Sequence, residues 1–337
     1  MEAIFLVGGK GTRLHPLTLE IPKPMLKVAG VPFIAHQIGY AKEHGVTRIV
    51  MAISYKNEQF LEYLGDGSDF GVEIAHAIED EPLGTGGAVR NASQFLQSEP
   101  NDPVAILNGD VLSAHDMKAQ IALHEAVGAD ATLHLIRVAD ARAYGSVPTE
   151  ESGKILDFVE KSEDPPTDFI NAGCYIFTRS VIDAIPAERV VSIERETFPG
   201  LLAEGKTLWA YKSESYWIDI GTPAALLKAS ADLVNGHFNS PAYITSPERI
   251  YVDLRARIGL NTRIGLGSAV GSAEIGANVL VDESIIGDEV VIGAGAKISA
   301  SIIGDGVHIG EGALLNGVVI AGPGVQVPPN SRQMGDS

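Results

Sequence analysis

A glycine-rich turn with two cations close behind it stands at the start of this sequence. Leu6 to Thr18 reads LVGGKGTRLHPLT, and Ile21 to Met25 reads IPKPM. A short apolar run, Ala3 to Val7, leads into Gly8, Gly9 and Gly11, after which Arg13 and Lys23 supply positive charge. Glycines let a loop close around a ligand with its backbone N–H groups turned inward, which suits a polyphosphate. The stretch therefore reads as a nucleoside-triphosphate site. It is not a Walker loop, because Gly11 is followed by Thr12 and Arg13 rather than by Lys and Ser or Thr. Nor is it a dinucleotide fingerprint, since Leu14 stands where the third glycine belongs. The competing interpretation is a tight structural turn with incidental charge.

The run TRLHPLT followed by PKP resembles the signature of sugar-1-phosphate nucleotidyltransferases. The rest of the chain is similar to the GDP-mannose pyrophosphorylase branch of that family. Further matching segments are PLGTGG, LNGD, FVEK, NAGCYIF, SIERETFP and YWIDIG, in the family's order. The resemblance implies transfer of a nucleotidyl group from GTP, or another nucleoside triphosphate, to a sugar 1-phosphate, with release of pyrophosphate. It also implies roles by position. Leu6, Gly8, Gly9, Gly11, Thr12, Arg13, Lys23, Pro82, Gly84, Thr85 and Asn108 would face the nucleotide. Gly145, Glu160, Lys161, Asn171, Gly173 and Trp217 would face the sugar phosphate. Asp110 of LNGD and Asp219 of YWIDIG would hold Mg²⁺.

The chemistry is consistent with those residue types. The attacking sugar phosphate is already ionised, so alignment and charge neutralisation dominate over proton transfer. Arg13 would grip the β- and γ-phosphates, while Lys23 would stabilise the α-phosphate and the transition state; with Asp110 they form the expected catalytic set. Mg²⁺ prefers one or two carboxylates plus phosphate oxygens and water, so two aspartates suffice. Asp110 could instead be an ordinary turn or helix N-cap residue. FVEK ends a strand, so Glu160 and Lys161 would point to opposite faces unless the backbone turns there.

Base choice is read from Glu79, three residues before Pro82. Guanine presents N1–H and N2–H side by side, a paired donor edge that a carboxylate accepts. Uracil and thymine place an N–H beside a carbonyl, which suits an amide, so Glu79 favours GTP over UTP or dTTP. An acidic surface turn, EDE at 79–81, is the alternative.

Bulk properties bound the rest. The 337 residues allow two domains, with 45% hydrophobic and 20% charged content typical of a globular protein. A net charge of −18 argues against nucleic acid or an anionic membrane as partner, so positive charge must be local to the site. The single cysteine, Cys174, allows no intrachain disulfide, and the expected location is cytoplasmic. Cys174 sits in an apolar run and is expected to be packed. No Cys/His spacing suggests zinc.

The expected fold is α/β: a Rossmann-like nucleotidyltransferase domain with a mixed, mostly parallel sheet, followed by a C-terminal left-handed parallel β-helix. Strands are expected at Ala3–Val7, Arg48–Ile53, Val72–His76 and Val104–Leu107, with helices at Phe33–His44, Asn57–Leu64 and Gly86–Leu96. Residues 131–177 read as a strand-rich sugar-side lobe. Such sheets bind ligands at the carboxyl ends of their strands. Residues 1–236 form the expected catalytic domain, 237–250 a linker overlapping the Pro-, Ser-, Gly- and Asn-rich stretch Asn235 to Pro247, 251–330 the β-helix and 331–337 a tail. Aliphatic residues recur at five- or six-residue steps from Ile258 through Ile320, and SIIGDEVVIGAGAKIS recurs as SIIGDGVHIGEGALLN seventeen residues on. Each of these aliphatics is expected to point into the prism. His308 in this region reads as a surface residue, and self-association, most simply as a dimer, is expected from the flat prism faces. Two other functions are compatible with the sequence: a glucose-1-phosphate enzyme using UTP, dTTP or ATP, and a non-catalytic subunit that senses nucleotide sugar.

Overall fold

The structure is a computed structural model that describes residues 1–9, 11–54 and 58–335. Lys10 of the opening motif, Asn57 at the start of an expected helix, and residues 336–337 of the expected tail lie outside the described residues. The chain folds as two compact units. The first comprises Met1–Gly9 and Tyr40–Trp217, and the second the described residues of 10–39 and 218–337.

The first unit is organised by a nine-stranded sheet. Its order runs Val159–Glu160, Gly145–Ser146, Phe169–Thr178, Pro103–Asn108, Glu2–Leu6, Arg48–Ile53 and Glu73–Ile78, with Ala131–Arg137 branching from the Phe169–Thr178 strand and Leu208–Ser213 pairing with Ala131–Arg137 in turn. The strands Pro103–Asn108, Glu2–Leu6, Arg48–Ile53 and Glu73–Ile78 are parallel neighbours. Their near-continuous apolar composition follows from burial on both faces; Ala3, Ile4, Phe5, Val104, Ala105 and Ile106 are fully enclosed. The strand-rich stretch from Ala131 to Phe177 lies in the same unit. It continues the same sheet through antiparallel pairs, Phe169–Thr178 pairing with both Pro103–Asn108 and Ala131–Arg137.

Register then decides the site. Leu6 lies opposite both Asn108 and Ala52, and Ile53 lies opposite Ile78. Four parallel strands therefore end together, and the residues that follow them, Gly8, Ser54, Glu79 and Asp110, share one edge. The helix Gly84–Ala92 begins two residues earlier than expected and passes into a 3₁₀ turn at Ser93–Phe95.

In the second unit, three parallel five-stranded sheets wind as a prism. Val252, Val270, Ile286, Ile303 and Ile320 stack in register on one face, and Ile275, Ile292, Ile309 and Val327 on another. The inward aliphatics form one core with Val281, Ile298 and Leu315. Ile258 departs from the expectation. It holds the inward register opposite Ile275 but is 42% exposed, because it belongs to the first coil and no coil covers it. The strand Arg332–Met334 pairs with Leu314–Asn316, so these residues continue the prism where a tail was expected. Ser268, Ser284 and Ser301 form a fully buried ladder at one corner. Each hydroxyl accepts the N–H of the next coil, from Ser284, Ser301 and Val318 respectively. His308 faces outward and is exposed, as expected.

Candidate active site

In the first unit, the glycines at the strand ends serve close approach. A Cβ on Gly8 would lie 2.2 Å from Ser54 Oγ, and the Gly9 N–H donates to that same hydroxyl at 3.2 Å. Gly109 packs equally tightly: its N–H donates to Leu6 O at 2.9 Å, and a Cβ there would lie 2.4 Å from that oxygen. The turn so formed carries Asp110 at the end of the Pro103–Asn108 strand, and it is not a helix N-cap.

Glu79 follows the Glu73–Ile78 strand and is only 7% exposed. One carboxylate oxygen, Oε2, accepts the Leu83 N–H at 3.2 Å, while Oε1 is buried with no hydrogen-bond partner among the described residues. Burial raises its pKa, against the opposing pull of the Leu83 N–H. The carboxyl is thus held inside the loop, which disposes of the surface-turn alternative.

The PLGTGG loop, expected to face the nucleotide, is held by a distant segment of the chain. Gly86 and Gly87 both donate their N–H groups to Val191 O, at 2.8 and 3.3 Å. The Thr85 hydroxyl donates to Glu194 Oε2 at 2.8 Å and accepts the Ile193 N–H at 2.9 Å. These glycines exist so that residues 189–193 can lie against the loop; a Cβ on Gly84 would sit 2.6 Å from Val191 O. Thr85 contributes no free hydroxyl to a ligand. Pro82 is exposed.

The expected sugar-side residues come together in the same unit. A Cβ on Gly145 would fall 2.6 Å from the Phe158 ring and 2.9 Å from Glu160 Oε2. Directly after its strand the backbone turns left-handed at Lys161, with φ of 45°, and Lys161 Nζ lies 3.7 Å from Glu160 Oε1. That turn replaces the opposite-face geometry of a regular strand. A register shift between Asn171 and Tyr175 places the Asn-Ala-Gly run in a bulge. Asn171 is anchored in the scaffold by two bonds: its Nδ2 donates to the Tyr175 hydroxyl at 2.7 Å, and its Oδ1 accepts the Gly173 N–H at 3.0 Å. Gly173, at φ of 76°, approaches Asn108 so closely that a Cβ would lie 2.9 Å from Nδ2. Trp217 Nε1–H donates to Ala172 O at 2.9 Å, and its ring meets Tyr144 edge-on. Cys174 is buried beside this bulge, its thiol pushed up to about 12 by desolvation, so it is packed rather than reactive.

In the second unit, Gly11 takes φ of 58° and precedes the 3₁₀ turn Thr12–Leu14, while the Thr18 hydroxyl donates to Gly11 O at 2.8 Å. A Cβ on Gly11 would lie 3.4 Å from Lys23 Cβ, so the two halves of the opening motif pack together. Thr12 and Arg13 are exposed. Lys23 begins a second 3₁₀ turn, Lys23–Met25. Arg13 Nη2 stands 4.0 Å from Asp219 Oδ2, and Gly221 leaves the guanidinium its place, since a Cβ there would fall 2.5 Å from Nη2. Among the described residues, no three His, Cys, Asp or Glu side chains group into a ready-made metal cage. A single aspartate such as Asp219 suits a hard cation that takes its remaining oxygens from phosphate and water.

Ser54, Val191 and Glu194 escaped the sequence reading. Nothing local marks Ser54. Glu194 lies within SIERETFP, a segment that carried the resemblance without being given a role.

Comparison with known proteins agrees with this architecture. A nucleotidyl transferase family model matches residues 2–236, and a GMPPB C-terminal domain model matches residues 246–332. A mannose-1-phosphate guanylyltransferase of Mycobacterium tuberculosis is 45% identical over 88% of this chain and 83% of its own. A mannose-1-phosphate guanyltransferase of Kluyveromyces lactis is 38% identical over 74% of this chain and 70% of its own. Among solved structures, HddC from Yersinia pseudotuberculosis complexed with GMP-PN superposes with a TM-score of 0.58 at 30% identity, covering 68% of this chain and 97% of that one. With that model matched over most of the chain and relatives this similar, this chain belongs to the nucleotidyl transferase family.

Proposed function

We propose that this protein transfers a guanylyl group from GTP to mannose 1-phosphate, giving GDP-mannose and pyrophosphate. The observation that carries the base assignment is Glu79, a buried carboxylate with one oxygen held by Leu83 N–H and the other without a partner among the described residues. Guanine is the base whose paired donors such an acceptor satisfies. The sugar assignment is supported by the names of the relatives at 45% and 38% identity, and the base by a structural neighbour solved with GMP-PN.

A phosphate oxygen of the sugar attacks the α-phosphorus of GTP. The new P–O bond forms as the bond to the β-phosphate oxygen breaks, and pyrophosphate leaves with the electron pair. No covalent enzyme intermediate is required. Arg13 grips the β- and γ-phosphates, and Lys23 neutralises charge at the α-phosphate. Glu160 accepts hydrogen bonds from sugar hydroxyls, Lys161 contacts the 1-phosphate, and Trp217 with Tyr144 forms an aromatic wall beside them. Asp110 and Asp219 would hold Mg²⁺, which when bound withdraws charge from the phosphates. The protein works in the cytoplasm on this reading; no helix among the described residues is long and apolar enough to cross a membrane. Self-association through the prism belongs to the same reading, since Leu254, Leu260 and Leu266 stand exposed there. A monomeric mass by light scattering at micromolar concentration would refute it.

The test is a pyrophosphate-release assay crossing GTP, ATP, UTP and dTTP with the 1-phosphates of mannose, glucose and N-acetylglucosamine. The expected maximum is GTP with mannose 1-phosphate. Preference for UTP or dTTP would reassign the base, and GDP-mannose binding without any turnover would make the protein a sensor.

A further inference from the structure

The loop from Glu79 to Gly87 takes its shape from a segment more than a hundred residues away in sequence. Leu83 is pinned from both sides: its N–H donates to Glu79 Oε2, and its carbonyl accepts the Val191 N–H at 2.9 Å. Val191 O in turn takes the N–H groups of Gly86 and Gly87. One side-chain link completes the attachment. Glu194 Oε2 accepts from the hydroxyls of Thr85 and Ser192, both at 2.8 Å, and Thr85 Oγ1 accepts from the Ile193 N–H. Glu194 lies at the start of a π-helical turn, Ile193–Thr197, whose N-cap is Ser192. The carboxylate therefore ties that turn to the first turn of the Gly84–Ala92 helix.

We propose that Thr85 and Glu194 are positioning residues that hold the 79–87 loop in the shape that receives the nucleotide. The proposal rests on the reading that this loop faces the nucleotide. Neither residue needs to touch a substrate. They act through Leu83, whose N–H fixes one oxygen of Glu79 and so directs the other. If Thr85 loses its hydroxyl, the first helical turn keeps only its backbone bonds to Val191, and Leu83 and Glu79 gain freedom together. Nucleotide binding then weakens, while the sugar-side residues keep the hydrogen bonds that anchor them on other strands.

The experiment uses the full chain carrying Thr85→Val or Glu194→Ala, with Thr85→Ser and Glu194→Gln as conservative partners. Initial rates give KM for GTP and for mannose 1-phosphate separately, and thermal melts establish that each variant is folded. Thr85→Val and Glu194→Ala should raise KM for GTP about tenfold, the equivalent of one hydrogen bond, and leave KM for the sugar phosphate within about twofold. Thr85→Ser and Glu194→Gln should stay near the parent protein. Folded variants with an unchanged KM for GTP, or with both KM values raised by the same factor, would overturn the proposal. Should Thr85→Val fail to fold, the Glu194→Ala and Glu194→Gln pair decides. Glu79→Gln in the same assay separates the two readings: unchanged base preference there counts against guanine recognition alone, whereas a selective rise in KM for GTP in the Thr85 and Glu194 variants supports positioning in either case.

Discussion

Replacing Glu79 by glutamine changes one atom and should invert the logic of base recognition. The Leu83 N–H needs an acceptor, so the new amide must turn its oxygen to Leu83 and place its NH₂ where Oε1 now lies. A donor then confronts the donor edge of guanine. The lost charge-assisted hydrogen bond costs about 1.5–3 kcal/mol, and a donor left buried without an acceptor adds about 1–3 kcal/mol. A combined loss of about 2.5–6 kcal/mol corresponds to roughly 10²- to 10⁴-fold in kcat/KM for GTP. UTP offers a carbonyl to the amide and should be spared, so the GTP-to-UTP ratio collapses. Because burial raises the Glu79 pKa, its carboxylate is neutralised at a higher pH than that of an exposed glutamate. KM for GTP should accordingly climb on the acid side in the parent protein, and that limb should be missing in Glu79→Gln. Initial-rate measurements with both nucleotides between pH 5 and 8 decide the matter. A GTP-to-UTP ratio that survives the substitution would refute this account of the base site. Folding should be unharmed, since the change removes a carboxyl that burial already disfavours.

Three further outcomes follow from the same structure. Arg13→Ala should lower kcat/KM by roughly 10²- to 10³-fold, about 3–4 kcal/mol, as expected for a charged contact to developing phosphate charge; steady-state kinetics at saturating sugar phosphate checks it. His115 and His124, both nearly enclosed, are pushed down to about 4 chiefly by desolvation. Their folded pKa values lie below the unfolded value, so the unfolded chain binds more protons between pH 6.5 and about 4, and stability drops as pH falls through that window. Each should cost about 3 kcal/mol by pH 4, and urea melts of the parent should flatten against pH when His124 is replaced by glutamine. Ser284→Ala removes the acceptor of the buried Ser301 N–H and should destabilise the β-helix by about 1–3 kcal/mol, read as a lower midpoint in chemical denaturation.

The sequence alone determined the class of chemistry and both architectures. A turn of three glycines followed by two cations needs no tertiary information to suggest a polyphosphate, because glycine conformational freedom and charge are properties of the residues themselves. A five- or six-residue aliphatic step likewise specifies a three-sided prism, since only that geometry buries every aliphatic at once. Ile258 shows the limit of such periodicity: its register was right, but exposure depends on whether another coil lies above it.

What the tertiary structure decided is where each polar group is spent. The glycines of PLGTGG do not announce that they admit Val191, and only the path of residues 189–194 reveals it. The bond from Asn171 to Tyr175 exists only because a bulge turns the Asn-Ala-Gly run. Glu194 has no chemical signal of its own, because its partner Thr85 is 109 residues away. Hydrogen bonds between distant segments leave no periodicity in the chain, so they become legible only once the sheet has brought those segments side by side.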